Sequence, residues 1–299
     1  MLTRRITVDG PLDLRRSLAP LVASAKDPTI RLRDHAAVRA ARTPDGPATC
    51  ELRRDGDAFV ASAWGPGASW ALDAAPGLLG CDDERGDFDA RAHPEVARAD
   101  HLRPGLRMIR SRMIADRLVA TILAQRVTAY EAARSWTLLV RRWGEPAPGP
   151  HGLRLPPAPE RLAATPYWAY HGLGVDRARA MTIIRASSRI ARLEEAVEMP
   201  SAAAMRRLTA LPGLGTWTAA LVRRPAAGDP DVVEVGDYHV KHQVTWALAG
   251  EPRGTDERML ELLRPFAGHR GRATVLLLSA GPRAPRYAAR QRVTTVDEL

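Results

Sequence analysis

Apolar and polar positions alternate in short runs over the first 90 residues and then shift to a helical period. Residues 3–8, 34–41, 47–54 and 57–64 read as strands, punctuated by Asp9-Gly10, Pro44-Asp45-Gly46 and Asp55-Gly56, the last a tight hairpin signal. One helix is predicted near 11–25, with Leu14, Leu18, Leu21 and Val22 on one face. Residues 82–104 are polar and read as a crossing segment. Beyond Leu106 the spacing predicts helices at 107–125, 129–143, 174–192, 202–210, 216–224, 238–249, 255–265 and 271–279, with Gly and Pro at most breaks. The proline- and glycine-rich stretch 144–159 reads as a loop over the helical surface. The pattern therefore predicts a mainly α protein with an N-terminal α+β domain built on an antiparallel sheet (1–90). A helical domain follows (91–299) and ends in a basic tail that includes Arg283, Arg286, Arg290 and Arg292.

Charge narrows the class of partner. The chain carries 44 Lys+Arg against 34 Asp+Glu, a formal net charge of +10, and that excess draws it toward a polyanion. Only Lys26 and Lys241 are lysines. A GC-rich coding bias accounts for arginine over lysine, but not for the excess of cations over acids. Two cysteines, Cys50 and Cys81, are too few for a zinc or iron–sulfur centre, and no Cys/His cluster supplies further ligands, so no metal site is expected. Arg4 and Arg5 lead into Thr7, Asp9 and Gly10 and not into an apolar signal core, and no apolar run reaches membrane-spanning length. A cytoplasmic protein is expected, with no membrane partner.

The most informative stretch is Leu211-Pro212-Gly213-Leu214-Gly215-Thr216-Trp217-Thr218-Ala219, between two predicted helices. Glycines at 213 and 215 can take backbone angles other residues avoid, and they let the main chain approach a partner closely. Their amides and the free N–H groups opening the next helix would converge on a phosphate-sized anion. Without a ligand, the same residues make an ordinary helix-ending turn. Asp237, twenty residues after Trp217, opens another helix, and by itself it reads as an N-cap.

Together, the nine-residue hairpin (211–219) and its trailing aspartate resemble the helix-hairpin-helix DNA glycosylases. Within that superfamily the chain is most similar to the alkylbase (3-methyladenine) enzymes, which place an antiparallel α+β domain before the helical core. The resemblance runs over about residues 105–280. It implies a bacterial, nucleoid-associated monomer that acts on double-stranded DNA with a damaged base. Asp237 takes the catalytic role, and Gly213, Gly215, Thr216 and Thr218 contact the DNA backbone. At the seventh hairpin position, family members that also nick the backbone have a Schiff-base lysine; Trp217 has no amine, which implies a monofunctional enzyme with water as nucleophile. Leu123-Ala124-Gln125-Arg126-Val127-Thr128 is similar to the family's Leu-x-Gln-x-x-Ser/Thr segment, whose residue after the Gln fills the gap left by a flipped nucleotide. Arg126 departs from the usual apolar wedge. It could stack in the gap or touch a phosphate, and Gln125 could share the contact.

Trp217, Leu221, Tyr238 and His269 are the candidate walls of a base pocket. Leu221 stands where a family aromatic is usual and His269 near another; Trp217 reads equally as a core packing residue, and His269 reads first as a structural residue or a phosphate contact and only second as a pocket wall. No cofactor is expected, apart from the monovalent cation that hairpin carbonyls hold in the family. Two alternatives stay open: the same scaffold acting on an oxidised, deaminated or bulky lesion, and a catalytically silent DNA-binding module, which would not need Asp237. Tyr167, Trp168, Tyr170 and His171 form an aromatic cluster without an assigned role.

Overall fold

The computed structural model describes residues 1–285. Five strands, β1 (Leu2–Thr7), β2 (Ile30–Leu32), β3 (Ala36–Thr43), β4 (Gly46–Asp55) and β5 (Ala58–Trp64), form one antiparallel sheet in the order β1-β5-β4-β3-β2. The hairpins turn where the sequence signals them: Thr43 pairs with Gly46 around Pro44-Asp45, and Asp55 pairs with Ala58 around Gly56-Asp57. Strand β2 is an addition to the predicted set; its three residues are too short for period-two alternation to register.

The predicted helix at 11–25 is a short one, α1 (Leu14–Leu18), and a 3-10 turn that carries Pro20 at its start. A second helix, α2 (Ala68–Leu78), lies on the sheet and was not predicted. Its buried face is mostly alanine, with Ala68, Ala71 and Ala75 beside Leu72 and Leu78, so its apolar stripe is weak in sequence. These residues share one core with Cys50, Leu52, Phe59, Ala61 and Ala63, the inward positions of β4 and β5. Phe59 is fully buried, a contribution of roughly 1.5–3 kcal/mol.

The segment 82–104 is not simply a crossing loop. It contains α3 (Pro94–Leu102), whose Val96 and Ala99 are buried in a cluster with residues of the last three helices. The helix expected from 107 begins only as α4 (Ala115–Leu123). The amides of Arg110, Ser111 and Arg112 are already taken by the carbonyls of Gly77, Pro225 and Ala226, and Arg112 sits at φ 62°, which excludes a helix there. Next come α5 (Ala129–Trp143), α6 (Pro159–Ala164), α7 (Arg177–Ser187), α8 (Ile190–Glu194), α9 (Ser201–Thr209) and α10 (Thr216–Ala227). The series ends with α11 (Val240–Ala249), α12 (Asp256–Leu262) and α13 (Arg270–Ala280). The largest core gathers Leu118, Ile122, Trp136, Leu139, Ile183, Leu208 and Val222 from α4, α5, α7, α9 and α10. Between α6 and α7, residues Tyr167–Leu173 form a 3-10 segment that buries Tyr170.

Residues 144–158 are not a surface loop. Leu153 and Leu155 are buried against Ala40 of β3. Arg154 N–H donates to Pro28 O (2.9 Å), Arg31 to His151 O (2.7 Å) and Arg42 to Pro156 O (2.7 Å). This stretch, the Arg39–Asp116 ion pair and the hydrogen bond from Trp136 Nε1 to Asp27 (3.0 Å) fasten the sheet to the helices. Among the described residues, no helix is long and apolar enough to cross a membrane, and no group of three His, Cys, Asp or Glu could hold a metal ion.

Candidate active site

Helix α9 ends into the hairpin, and Leu208, Leu211 and Leu214 anchor the turn in the main helical core. The two glycines serve different ends. Gly213 sits at φ +98°, and a Cβ there would lie 2.3 Å from Thr182 Oγ1 on α7, so both backbone angle and packing require glycine. Gly215 has the ordinary extended geometry (φ −85°, ψ 177°), against the expectation of an unusual angle, and a Cβ on it would meet open space. What Gly215 provides is an unobstructed surface at the mouth of α10. The N–H groups of Thr216, Trp217 and Thr218 open that helix with no main-chain acceptor among the described residues, as at any uncapped N-terminus.

The turn between α4 and α5 is fastened to the hairpin. Gln125 Nε2 donates to Gly213 O and to Thr218 Oγ1, both at 2.9 Å. Thr218 is buried. Arg126 follows in the left-handed region at φ 58°, with its side chain exposed. A capping box then starts α5: Glu131 accepts from Thr128 N (2.8 Å) while Thr128 Oγ1 accepts from Glu131 N (3.2 Å). Arg126 thus projects from a five-residue turn held at both ends.

Asp237 stands just before α11 and faces the hairpin, with each carboxylate oxygen engaged. Oδ1 accepts from the backbone N–H groups of His239 (2.7 Å) and Val240 (2.9 Å), which caps α11. Oδ2 accepts from Trp217 Nε1 at 2.8 Å, which ties the capping carboxylate to the hairpin. The loop carrying Asp237 is gripped by α10. Arg223 pairs with Asp229 (3.2 Å) and Arg224 with Glu234 (2.6 Å), all four buried, and Arg224 also donates to Val232 O (3.1 Å). Thr216 Oγ1 donates to Val235 O (3.2 Å), so this hydroxyl braces the loop. These arginine–acid pairs were missed in the sequence; their signal is the Arg-Arg step at 223–224 facing two acids six and ten residues on.

The candidate pocket residues divide. Trp217 and Leu221 are half-buried one turn apart on α10. Tyr238, 64% exposed, meets His239 edge-on (4.9 Å) beside Asp237 and lies 6.1 Å from His242. Partial burial and the neighbouring Lys241 and His239 hold His242 below its ordinary range, which favours the neutral ring. His269 is placed elsewhere. It is buried against Phe88, with Nε2 at 3.1 Å from Asp87 and Nδ1 accepting from Arg272 Nε at 3.1 Å. With both ring nitrogens engaged, His269 is a brace between α13 and the 83–88 segment, where Arg272 also forms a buried pair with Asp83, and it is not a pocket wall. Of the basic tail, Arg283 is exposed, while Arg286, Arg290 and Arg292 lie outside the described residues.

No family model matches the chain. Among curated proteins it is similar to DNA-3-methyladenine glycosylase 2 of Escherichia coli (strain K12), 28% identical over 180 residues, 57% of this chain and 63% of that protein. The match therefore spans less than two thirds of the relative's length. Among solved structures it is similar to a 3-methyladenine DNA-glycosylase from Archaeoglobus fulgidus. The TM-score is 0.77 at 18% identity, over 92% of this chain and 97% of that one. The apo form of the Clostridium acetobutylicum 8-oxoguanine glycosylase/lyase gives 0.64 at 13% identity, over 84% and 98%. At such identities the structures show a shared fold, and the resemblance to the helix-hairpin-helix glycosylases holds in both sequence and fold.

Proposed function

We propose that this chain, which resembles the helix-hairpin-helix DNA glycosylases, is a monofunctional DNA glycosylase that excises alkylated purines of the 3-methyladenine type in base excision repair. The observation that carries the reading is the contact between Asp237 and Trp217: a carboxylate beside an indole, at the position where a backbone-nicking enzyme needs an amine. Damaged double-stranded DNA would lie across the hairpin, with a phosphate at the open face of Gly215 and the amides of α10. Arg126, presented by its left-handed turn, would enter the space vacated by the flipped nucleotide.

An alkylated purine already carries positive charge and leaves as a neutral base, so the demand on the protein falls on the sugar. As the bond from C1′ to the base nitrogen breaks, its electron pair leaves with the base and C1′ becomes oxocarbenium-like. Asp237 Oδ2, held by one N–H and with a lone pair to spare, would stabilise that charge. Water then adds to C1′ and gives up a proton, with Asp237 as the nearby acceptor. The faces of Trp217 and Tyr238 favour a cationic base over a neutral one. Leu211 O and Gly213 O each accept one hydrogen bond, from Leu214 N–H and Gln125 Nε2, and each keeps a second lone pair that could help hold a monovalent cation. The protein would act as a monomer, in the cytoplasm with the chromosome.

The 8-oxoguanine enzyme among the structural neighbours favours one second reading, excision of an oxidised purine on the same scaffold. Chromatography of bases released from methylated DNA tests both. Release of 3-methyladenine or 7-methylguanine by the wild type and not by Asp237→Asn supports the alkylbase reading. Release of 8-oxoguanine from oxidised DNA, with none from methylated DNA, moves the assignment to the oxidised lesion. Tight duplex binding with no release from either substrate leaves only a binding module.

A further inference from the structure

The aromatic cluster at 167–171 divides into packing residues and one indole that packing does not use. Tyr170 is fully buried, donates its hydroxyl to Leu162 O (2.8 Å) and meets Trp143 edge-on at 4.8 Å. Burial raises its phenol far above the ordinary range, so it stays protonated as that donor. Tyr167 packs on His171 (5.7 Å) and lies under the Arg177 guanidinium (5.0 Å). Trp168 is 64% exposed and borders an open cleft of about 350 Å³ that Arg142, Trp143, Arg161, Thr165 and Pro166 also line. No acid lines this cleft, and neither Arg142 nor Arg161 has an ion pair or hydrogen bond from its guanidinium among the described residues. Proximity to the C-terminal end of α5 would account for Arg142 alone. It accounts for neither Arg161 nor the exposed indole.

A flat apolar surface with two uncompensated planar cations and room for one ring suits an aromatic ring joined to an anion. In a chain of net charge +10, the commonest ligand of that chemistry is a nucleotide. We propose that the Trp168 cleft is a second nucleic-acid contact, which stacks one unpaired base of a single strand on the Trp168 indole and holds the adjoining phosphate with Arg142 and Arg161. Helix α5 separates it from the hairpin side: its 15 residues extend about 21 Å, with Arg126 just before its start and Trp143 at its end. The contact lies beyond the base-excision reading and stands or falls without it.

The test is anisotropy of a fluorescein-labelled oligothymidylate with the full chain carrying Asp237→Asn. Trp168→Ala, and separately the pair Arg142→Glu with Arg161→Glu, should each weaken binding about tenfold, the scale of one lost base stack. Trp168→Phe should keep most of the affinity. All of these side chains are exposed, and an unchanged circular dichroism melt in each variant confirms an intact fold. A fully paired duplex should bind equally to the parent and to Trp168→Ala. Oligothymidylate binding that ignores Trp168→Ala overturns the proposal. So does an absence of oligothymidylate binding, including the case in which an acidic tyrosine-containing peptide binds instead. Base release by the Trp168→Ala variant of the wild type, measured separately, reports only on the excision reading.

Discussion

Trp217 Nε1 stands 2.8 Å from Asp237 Oδ2, while Asp237 Oδ1 caps α11 through two backbone N–H groups. One carboxylate therefore joins the hairpin helix to the following helix, and its two oxygens can be separated by mutation. In Asp237→Asn the remaining carbonyl oxygen can still cap, but the amide nitrogen cannot accept from Trp217 Nε1, so the fold should survive with a loss of about 1.5–3 kcal/mol. The negative charge is gone, and base release should fall by about a hundredfold or more at unchanged duplex affinity. Single-turnover release alongside anisotropy on the same duplex checks this. Parallel loss of binding and release would reduce Asp237 to a helix cap.

Trp217→Phe keeps an aromatic face and removes only the N–H. A hydrogen bond to a charged group is worth about 1.5–3 kcal/mol, so the cleavage rate should drop by roughly tenfold or more if the indole positions Asp237. Binding of the damaged duplex should change much less, because the stacking surface remains. A rate equal to wild type would make Trp217 a wall of the pocket and nothing more.

Arg126 holds a left-handed backbone at φ 58° that glycine adopts freely. Arg126→Gly should therefore leave the melting temperature unchanged or raise it slightly, while slowing excision from a duplex. Excision of the same base from a single strand, which has no gap to fill, should be spared. Equal slowing on both substrates would move Arg126 from the gap to a phosphate contact.

These residues also show what the sequence could reveal. The hairpin, Asp237, the α5 boundaries and both β-turns were legible because each rests on local chemistry: a glycine at a forced angle, a capping box, a Pro-Asp-Gly turn. Helix α2 was hidden because alanine supplies most of its buried face, and α3 because its surroundings are polar while only Val96 and Ala99 face the core. The late start of α4 depends on carbonyls from Gly77, Pro225 and Ala226, partners that only the fold brings near. For the same reason His269 was misplaced: Arg272 is three residues away, but Asp87, its other partner, lies 182 residues earlier in the chain.

Glu194 gives a pH signature. Its two oxygens accept from Ile114 N (2.7 Å) and Ala115 N (2.8 Å) at the start of α4. Burial pushes its carboxyl up from 4.5 to about 7, with Asp116 adding to the rise and the two N–H groups opposing it. The folded state then holds this proton more tightly than the unfolded chain, so the charged form is penalised on folding. That penalty is absent below about pH 4.5, grows between 4.5 and 7 and is complete above 7. This group's share of stability should thus fall as pH rises through that window, and Glu194→Gln should flatten the slope in urea melts. A Gln variant with the wild-type slope would place the titration on another group.

The two hairpin glycines separate folding from binding. Gly213→Ala meets both a backbone cost of about 1–2 kcal/mol at φ +98° and a clash with Thr182. It should lower the melting temperature, and a second change, Thr182→Ala, should restore only the steric part. Gly215→Ala adds a methyl group to open space at an ordinary angle, so its melt should match wild type. If the DNA backbone closes against this face, however, that methyl group occupies the space a phosphate needs, and duplex affinity should fall about tenfold or more while stability holds. Affinity and melting temperature both unchanged in Gly215→Ala would remove the phosphate from this part of the hairpin and leave the α10 N–H groups without their proposed partner.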